Sequence, residues 1–287
     1  MSWMILGTAP YEDFPLVESA CRLQNGALII DGHKIGVARG TPALLATACL
    51  AAEVMGIEGP QTLLVGDIGD GKGSAKLYSR LLDKIADDLP EVLVFHYLQP
   101  DLNYSLKISM GLEELPRKPL LVADAGYMYV AKMSGLANVY DLFTPDIGEL
   151  AFLADEKAPH PFYTRGFLLQ DEAEAPELVK KAYKHQNAAR YLLVKGRKDL
   201  VADETGIIDE ISEPCIENME PVGGTGDSLT GLVSSLIASG FTIDKAASVA
   251  ARANRYMGFL ANPTPAFSIA ECLKFLPEAL ERVVDNK

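Results

Sequence analysis

The stretch PVGGTGDSLTG, Pro221–Gly231, sets four glycines and one aspartate directly ahead of a long apolar helical run. A turn uses one glycine or two, so the surplus needs another explanation. Glycines let successive backbone N–H groups turn toward one point without Cβ obstruction, and a following helix adds the positive end of its dipole. Gly224, Thr225 and Gly226 therefore read as a cradle for negative charge, arranged as an oxyanion hole is. Asp227 stands beside it. It is either a capping side chain for the helix or a base that takes a proton from a hydroxyl while phosphate charge is held next to it. The surplus glycines favour the base.

Working outward, Leu229, Leu232, Val233, Leu236 and Ile237 recur at helical spacing, and Gly240 ends the run. Ala246, Ala250, Ala253 and Met257 predict a second helix. Ser268 and Glu271 form a capping box ahead of Ile269, Cys272, Leu273, Leu276 and Leu280. Upstream, GALIID, IGVAR, TLLVGD, VLVFHYL, PLLVADAG, VYDLFTP and YLLVKG read as strands. Several are apolar on both faces, as strands of a doubly covered parallel sheet are. Helical patterns lie between them over 42–55, with Thr41 as N-cap and Pro42 in first position, and over 75–89 and 172–186; residues 156–166 read as a loop. The alternation predicts one α/β domain over residues 1–287, an open, mostly parallel sheet with helices on both faces.

With 48% hydrophobic and 23% charged residues, the composition is that of a globular chain, and its net charge of −13 argues against nucleic-acid or anionic-membrane partners. Self-association into a homo-oligomer is left open. Cys21, Cys49, Cys215 and Cys272 form no CxxC and read as free thiols of a reducing compartment. MSWMILGTAP lacks the features of a secretory signal, and PALLATACLAAEVMG is too short to span a bilayer and carries Glu53, so the cytoplasm is expected. His33, His96, His160 and His185 show no metal spacing and read as structural or surface residues.

In open α/β sheets ligands collect beyond the carboxyl ends of the strands. That edge would carry Asp67, Asp124, Thr144 with Asp146, Lys195 and the 223–227 loop. Lys195, with Gly196 beside it, ends an apolar strand; its ammonium either meets a nucleotide phosphate or marks an exposed strand end. Asp124 either meets substrate hydroxyls or caps the next helix. GDIGDGKGS, Gly66–Ser74, nearly spells GxxxxGK[ST], but Gly73 replaces the Mg²⁺-binding hydroxyl. It reads as a second amide nest, through Gly69 and Gly71, for a substrate phosphate, or as a plain glycine-rich turn.

GGTGDSLTGLVSSLIASG resembles the anion-hole and catalytic-base segment of the ribokinase-like superfamily, most closely the ATP- or ADP-dependent NAD(P)H-hydrate dehydratases. LLVADAG (120–126), FTPDIGEL (143–150) and YLLVKGRKDLVADETG (191–206) resemble further segments of that family in order and spacing. The resemblance implies Asp227 as base, with Gly224, Thr225 and Gly226 stabilising the transferring phosphoryl group. It implies ATP or ADP with Mg²⁺ as cofactors, the nucleotide meeting Lys195 and Gly196 and its adenine facing Asn254. Asp146 and Glu149 stand where the superfamily has an N-x-x-E motif near Mg²⁺; two carboxylates so spaced either share a hydrated ion or cap the helix. Asp124, Gly69 and Gly71 fall to the substrate. The implied activity is dehydration of hydrated NADH or NADPH by phosphoryl transfer to its hydroxyl. A small-molecule kinase shares the phosphoryl half, and a nucleotide sensor without turnover would not need Asp227. The N-terminal third matches poorly: it has no Gly-Gly…Asn sugar motif, and it predicts a fold without a sugar-kinase lid.

Overall fold

The computed structural model describes residues 1–85, 89–161 and 174–285. In chain order the strands are β1 (Trp3–Ala9), β2 (Val17–Gln24), β3 (Ala27–Ile30), β4 (His33–Gly36), β5 (Gln61–Gly66), β6 (Val92–His96), β7 (Leu120–Ala123), β8 (Leu142–Phe143), β9 (Tyr191–Val194), β10 (Asp199–Asp203) and β11 (Gly206–Ile211). The α-helices are α1 (Thr41–Val54), α2 (Lys72–Ile85), α3 (Leu102–Glu113), α4 (Tyr127–Met133), α5 (Ile147–Ala154), α6 (Ala175–Lys184), α7 (Thr225–Ala238), α8 (Ile243–Ala261), α9 (Ile269–Cys272) and α10 (Leu276–Asp285). Residues 86–88 and 162–173, where parts of the expected helices and loop fall, lie outside the described residues.

The strands form one sheet in the order β11-β10-β9-β8-β7-β6-β1-β5-β2-β3-β4. Its centre, β9-β8-β7-β6-β1-β5, is parallel, and antiparallel strands continue it at both edges. Strand alternation sorts the side chains into two cores. Ile5, Leu64, Val94, Val122 and Leu193 face α1, α7, α8 and α10, while Leu6, Val65, Phe95, Ala123 and Leu192 face α2 to α6. Both faces are covered, as the doubly apolar strands require.

Three departures concern the N-terminal part. The central strand β1 and the strand that follows it in the chain, β2, were not among the expected strands. Strands β2 to β4 form an antiparallel meander between β1 and α1, and it extends the main sheet. The strand expected over 35–39 lies instead at His33–Gly36, and Thr41 is not an N-cap: Gly40 holds that place at φ 79°. Thr41 turns its hydroxyl elsewhere, as described below.

The topology fixes the site. From β1 the chain reaches β5 on one side through α1, then crosses to β6 on the other side through α2. Loops leaving neighbouring strands in opposite directions open a crevice at their carboxyl ends. Helix α7 closes against α1 at Gly231, where a Cβ would come within 2.5 Å of the Leu44 carbonyl oxygen. That close crossing brings the first turns of the two helices together.

Candidate active site

Asp227 lies in the first turn of α7, after the left-handed Gly224 (φ 105°) that starts the helix. Gly224 is confined on the side where a Cβ would stand, with Ile269 Cγ2 at 3.1 Å and Ala43 Cβ at 3.3 Å. The first main-chain donor to enter the helix is Ser228, whose N–H bonds the Gly224 carbonyl at 2.9 Å. The N–H groups of Gly224, Thr225 and Gly226 precede it, so they have no acceptor within the helix. Among the described residues none of them donates to another part of the chain. The cradle read from the sequence is open.

Asp227 does not cap its own helix. Its Oδ2 accepts from the Gly40 N–H at 2.6 Å, at the start of α1, and its Oδ1 lies 3.2 Å from His96 Nε2. A carboxylate only accepts, so His96 carries its proton on Nε2. Nδ1 lies 3.0 Å from Thr41 Oγ1. Burial raises the Asp227 carboxyl; His96 above all, then the Gly40 N–H and Lys195, outweigh it and hold it below the usual carboxylate range. Asp227 is 7% exposed and ionised at neutral pH.

Asp124 approaches the same imidazole nitrogen, with Oδ2 3.6 Å from His96 Nε2. It does not cap α4. It accepts from Lys195 Nζ at 2.8 and 3.0 Å and from Thr230 Oγ1 at 2.6 Å. Thr144 Oγ1, fully buried, lies 3.0 Å from Thr230 Oγ1. Lys195 is therefore no exposed strand end. Its stem runs beside Gly226, where a Cβ would meet Lys195 Cδ at 3.4 Å. Burial lowers its ammonium pKa, but Asp124, then Glu149 and Asp227, outweigh it and raise the group above the ordinary lysine range. One atom each of His96, Asp124 and Asp227 lies within 4.8 Å of the others, a spacing that could hold a metal. Asp124 is already engaged by the Lys195 ammonium and Thr230, and of the two carboxylates only Asp227 is hydrogen-bonded to His96.

Other expected residues take different places. Asp146 and Glu149 form a reciprocal capping box on α5: Asp146 Oδ1 accepts from Glu149 N and Glu149 Oε2 from Asp146 N, each at 2.8 Å. Glu149 Oε1 accepts from Tyr129 Oη at 2.9 Å. Burial, and then Asp146, pushes the Glu149 carboxyl well above the usual range. Only Asp146 Oδ2 is left without a partner among the described residues, so as folded the pair does not fit a metal as joint ligands. Asn254 anchors the start of α7, accepting from Ser228 Oγ at 2.7 Å and donating to the Thr225 carbonyl at 3.2 Å. Its amide is engaged there at both ends. Gly196 donates to Asp199 Oδ1 at 3.2 Å, and its carbonyl accepts from Arg255.

The second nest needs correction. Asp67 fills it with its own carboxylate: Oδ1 accepts from Gly69 N at 2.8 Å and Gly71 N at 3.2 Å, and Oδ2 from Ser74 N and Oγ, both at 2.8 Å. These amides are not open to a phosphate, and Lys72 pairs with Asp70 at the surface at 2.6 Å. Gly69 and Gly71 do line a cleft of about 320 Å³ with Tyr78, Gln99 and Asp101. His96, read from the sequence as a structural or surface residue, is buried and bonded to Asp227. It ends the apolar strand VLVFH as Lys195 ends YLLVK, and that shared position was the available signal.

The carbohydrate-kinase family model described as NAD(P)H-hydrate dehydratase matches residues 110–274, more than half of the chain. An uncharacterized protein of Methanocaldococcus jannaschii is 44% identical over 225 residues, covering 78% of this chain and 92% of its own. The bifunctional NAD(P)H-hydrate repair enzyme Nnr of Pyrobaculum aerophilum is 24% identical over 288 residues, covering 97% of this chain and 50% of its own. The present chain thus spans about half the length of that relative. Among solved structures, the ADP/ATP-dependent NAD(P)H-hydrate dehydratase from Bacillus subtilis, co-crystallized with ATP/Mg²⁺ and soaked with CoA, superposes with a TM-score of 0.56 at 16% identity, covering 99% of this chain and 91% of its own.

Proposed function

The chain belongs to the carbohydrate-kinase family of NAD(P)H-hydrate dehydratases, enzymes of ribokinase-like fold, and from that membership we propose that it restores NADH or NADPH from the hydrated cofactor at the expense of ATP or ADP. The observation that carries the proposal is the open set of amides at Gly224, Thr225 and Gly226 beside the ionised Asp227. The amides hold the terminal phosphoryl group of the nucleotide and stabilise the charge that spreads over its oxygens during transfer. Asp227 receives the proton of the attacking hydroxyl. The acceptor oxygen bonds to phosphorus as the bridging P–O bond breaks, releasing the shortened nucleotide.

The second half regenerates the ring. The nitrogen electron pair expels the phosphate with cleavage of the C–O bond, a proton leaves the neighbouring ring carbon, and the double bond returns. His96 and the Gly40 N–H fix the Asp227 carboxylate in orientation, and the Lys195–Asp124 pair supplies a charged wall beside Gly226. A magnesium ion would supply charge neutralisation at the nucleotide phosphates, and the Asp146–Glu149 pair, engaged as a capping box, would not chelate it jointly. The test is incubation with hydrated NADH and either nucleotide, following recovery of the dihydronicotinamide absorbance. Recovery dependent on ATP or ADP is expected. No recovery with either, together with nucleotide-dependent phosphorylation of another alcohol, would replace this reading with a kinase of the same fold.

A further inference from the structure

Tyr97 follows His96 directly at the carboxyl end of β6. Its φ is 52°, in the left-handed region that bulky side chains rarely occupy. Two contacts lock it there: the Tyr97 N–H donates to the Ala125 carbonyl at 2.8 Å, and its carbonyl accepts from Thr8 Oγ1 at 2.6 Å. The left-handed step takes the ring out of the strand's alternation. Tyr97 is 46% exposed, and its ring stands edge-on to the buried imidazole of His96, with centroids 4.6 Å apart and planes at 64°. That imidazole is the one bonded to Asp227. An exposed aromatic ring thus stands one residue from the group that orients the base.

Glycine or asparagine would satisfy this backbone with little strain. A tyrosine held here at conformational cost points to a use for its ring. Among the described residues its phenol oxygen has no hydrogen-bond partner. Burial, then the charges of Asp227 and Asp124, push the phenol up to about 12, so the ring is neutral. Tyr11 and Ile68, both exposed, follow β1 and β5 at the same sheet edge.

We infer that Tyr97 is the platform against which the partly saturated, pyridine-derived ring of the acceptor lies by its planar N–C=C–C=O side, so that a hydroxyl on that ring reaches Asp227. The inference rests on Asp227 being the base, and it adds what selects the acceptor: stacking on one aromatic face, which an open-chain alcohol cannot supply. Offset ring pairs of this kind change affinity about 2- to 12-fold.

The probe is NADH, which carries the ring intact and binds without turnover. It is titrated into the wild type, Tyr97→Gly and Tyr97→Phe with ADP present. Tyr97→Gly is expected to bind NADH about 2- to 12-fold more weakly, with unchanged ADP affinity and an equal or higher melting temperature because the strain is relieved. Tyr97→Phe should match the wild type. The inference is overturned by NADH binding to Tyr97→Gly at wild-type affinity, by a lowered melting temperature in that variant, or by a wild type that binds ADP but not NADH. Failure of the hydrate assay or of the Asp227 variants would instead strike the proposed reaction, since NADH binding requires no phosphoryl transfer.

Discussion

Replacing Asp227 with Asn preserves shape and removes the base, and the surrounding contacts let its effects be worked out in advance. The Asn carbonyl oxygen can still accept from Gly40 N–H, now met at 2.6 Å. The Asn amide then faces His96 Nε2, which must give up its proton to accept from it while Nδ1 holds one toward Thr41 Oγ1. The fold survives this exchange. Asp227→Ala instead strands the Gly40 and His96 donors in a site only 7% exposed, at about 1–3 kcal/mol for each donor. Asp227→Asn should therefore melt near the wild type and Asp227→Ala clearly below it. Loss of a positioned general base lowers kcat about 10²- to 10⁴-fold, with nucleotide affinity little changed because the amide cradle is intact. The assay is nucleotide-dependent recovery of dihydronicotinamide absorbance, with calorimetric titration of ADP alongside. A loss in kcat smaller than about tenfold in Asp227→Asn would refute the assignment of the base.

Gly226→Ala places a methyl 3.4 Å from Lys195 Cδ, an ordinary contact, and improves helix propensity by up to about 1 kcal/mol; its melting temperature should hold or rise while nucleotide affinity and kcat fall. Gly224→Ala should lose at least about 1–2 kcal/mol of stability in denaturant titration, because φ 105° is closed to alanine. His96→Leu removes the strongest of the influences that lower the Asp227 pKa, so the acid limb of the kcat/KM profile should move to higher pH; an unmoved limb would show that the imidazole does not tune the base. Asp67 is also held below the usual carboxylate range, its burial outweighed by the Ser74, Gly69 and Gly71 donors. The stabilisation from Asp67 and Asp227 is complete above the unfolded value of about pH 4 and disappears as pH falls through their lower folded values. Asp67→Asn should accordingly flatten the acid limb of a stability–pH curve.

The parallel sheet and the glycine cradle were legible because local chemistry dictates both: doubly apolar strands, turn glycines and an apolar helix after Gly226. The C-terminal helices followed from their spacing, and the Ser268–Glu271 capping box formed as written. The antiparallel β2, with its polar, half-exposed pattern, had no comparable signal. The network around Asp227 was hidden for another reason. Gly40, Thr41, His96, Asp124 and Asp227 lie far apart in sequence and meet only where α1, β6, β7 and α7 converge, so each reads alone as a cap or a core polar residue. The glycine-rich loop misled in the opposite direction. Its amides look like an anion nest because they are one, but the anion is Asp67 of the same loop.

That contrast gives the most direct measurement of the central claim. Protein labelled with ¹⁵N-glycine and ¹⁵N-threonine is titrated with a non-hydrolysable ATP analogue and Mg²⁺, and the amide resonances are followed. The N–H groups of Gly224, Thr225 and Gly226 should shift strongly on binding, while those of Gly69 and Gly71, already bonded to Asp67, should stay in place. Shifts confined to Gly69 and Gly71, or none at the start of α7 under saturating nucleotide, would contradict the account.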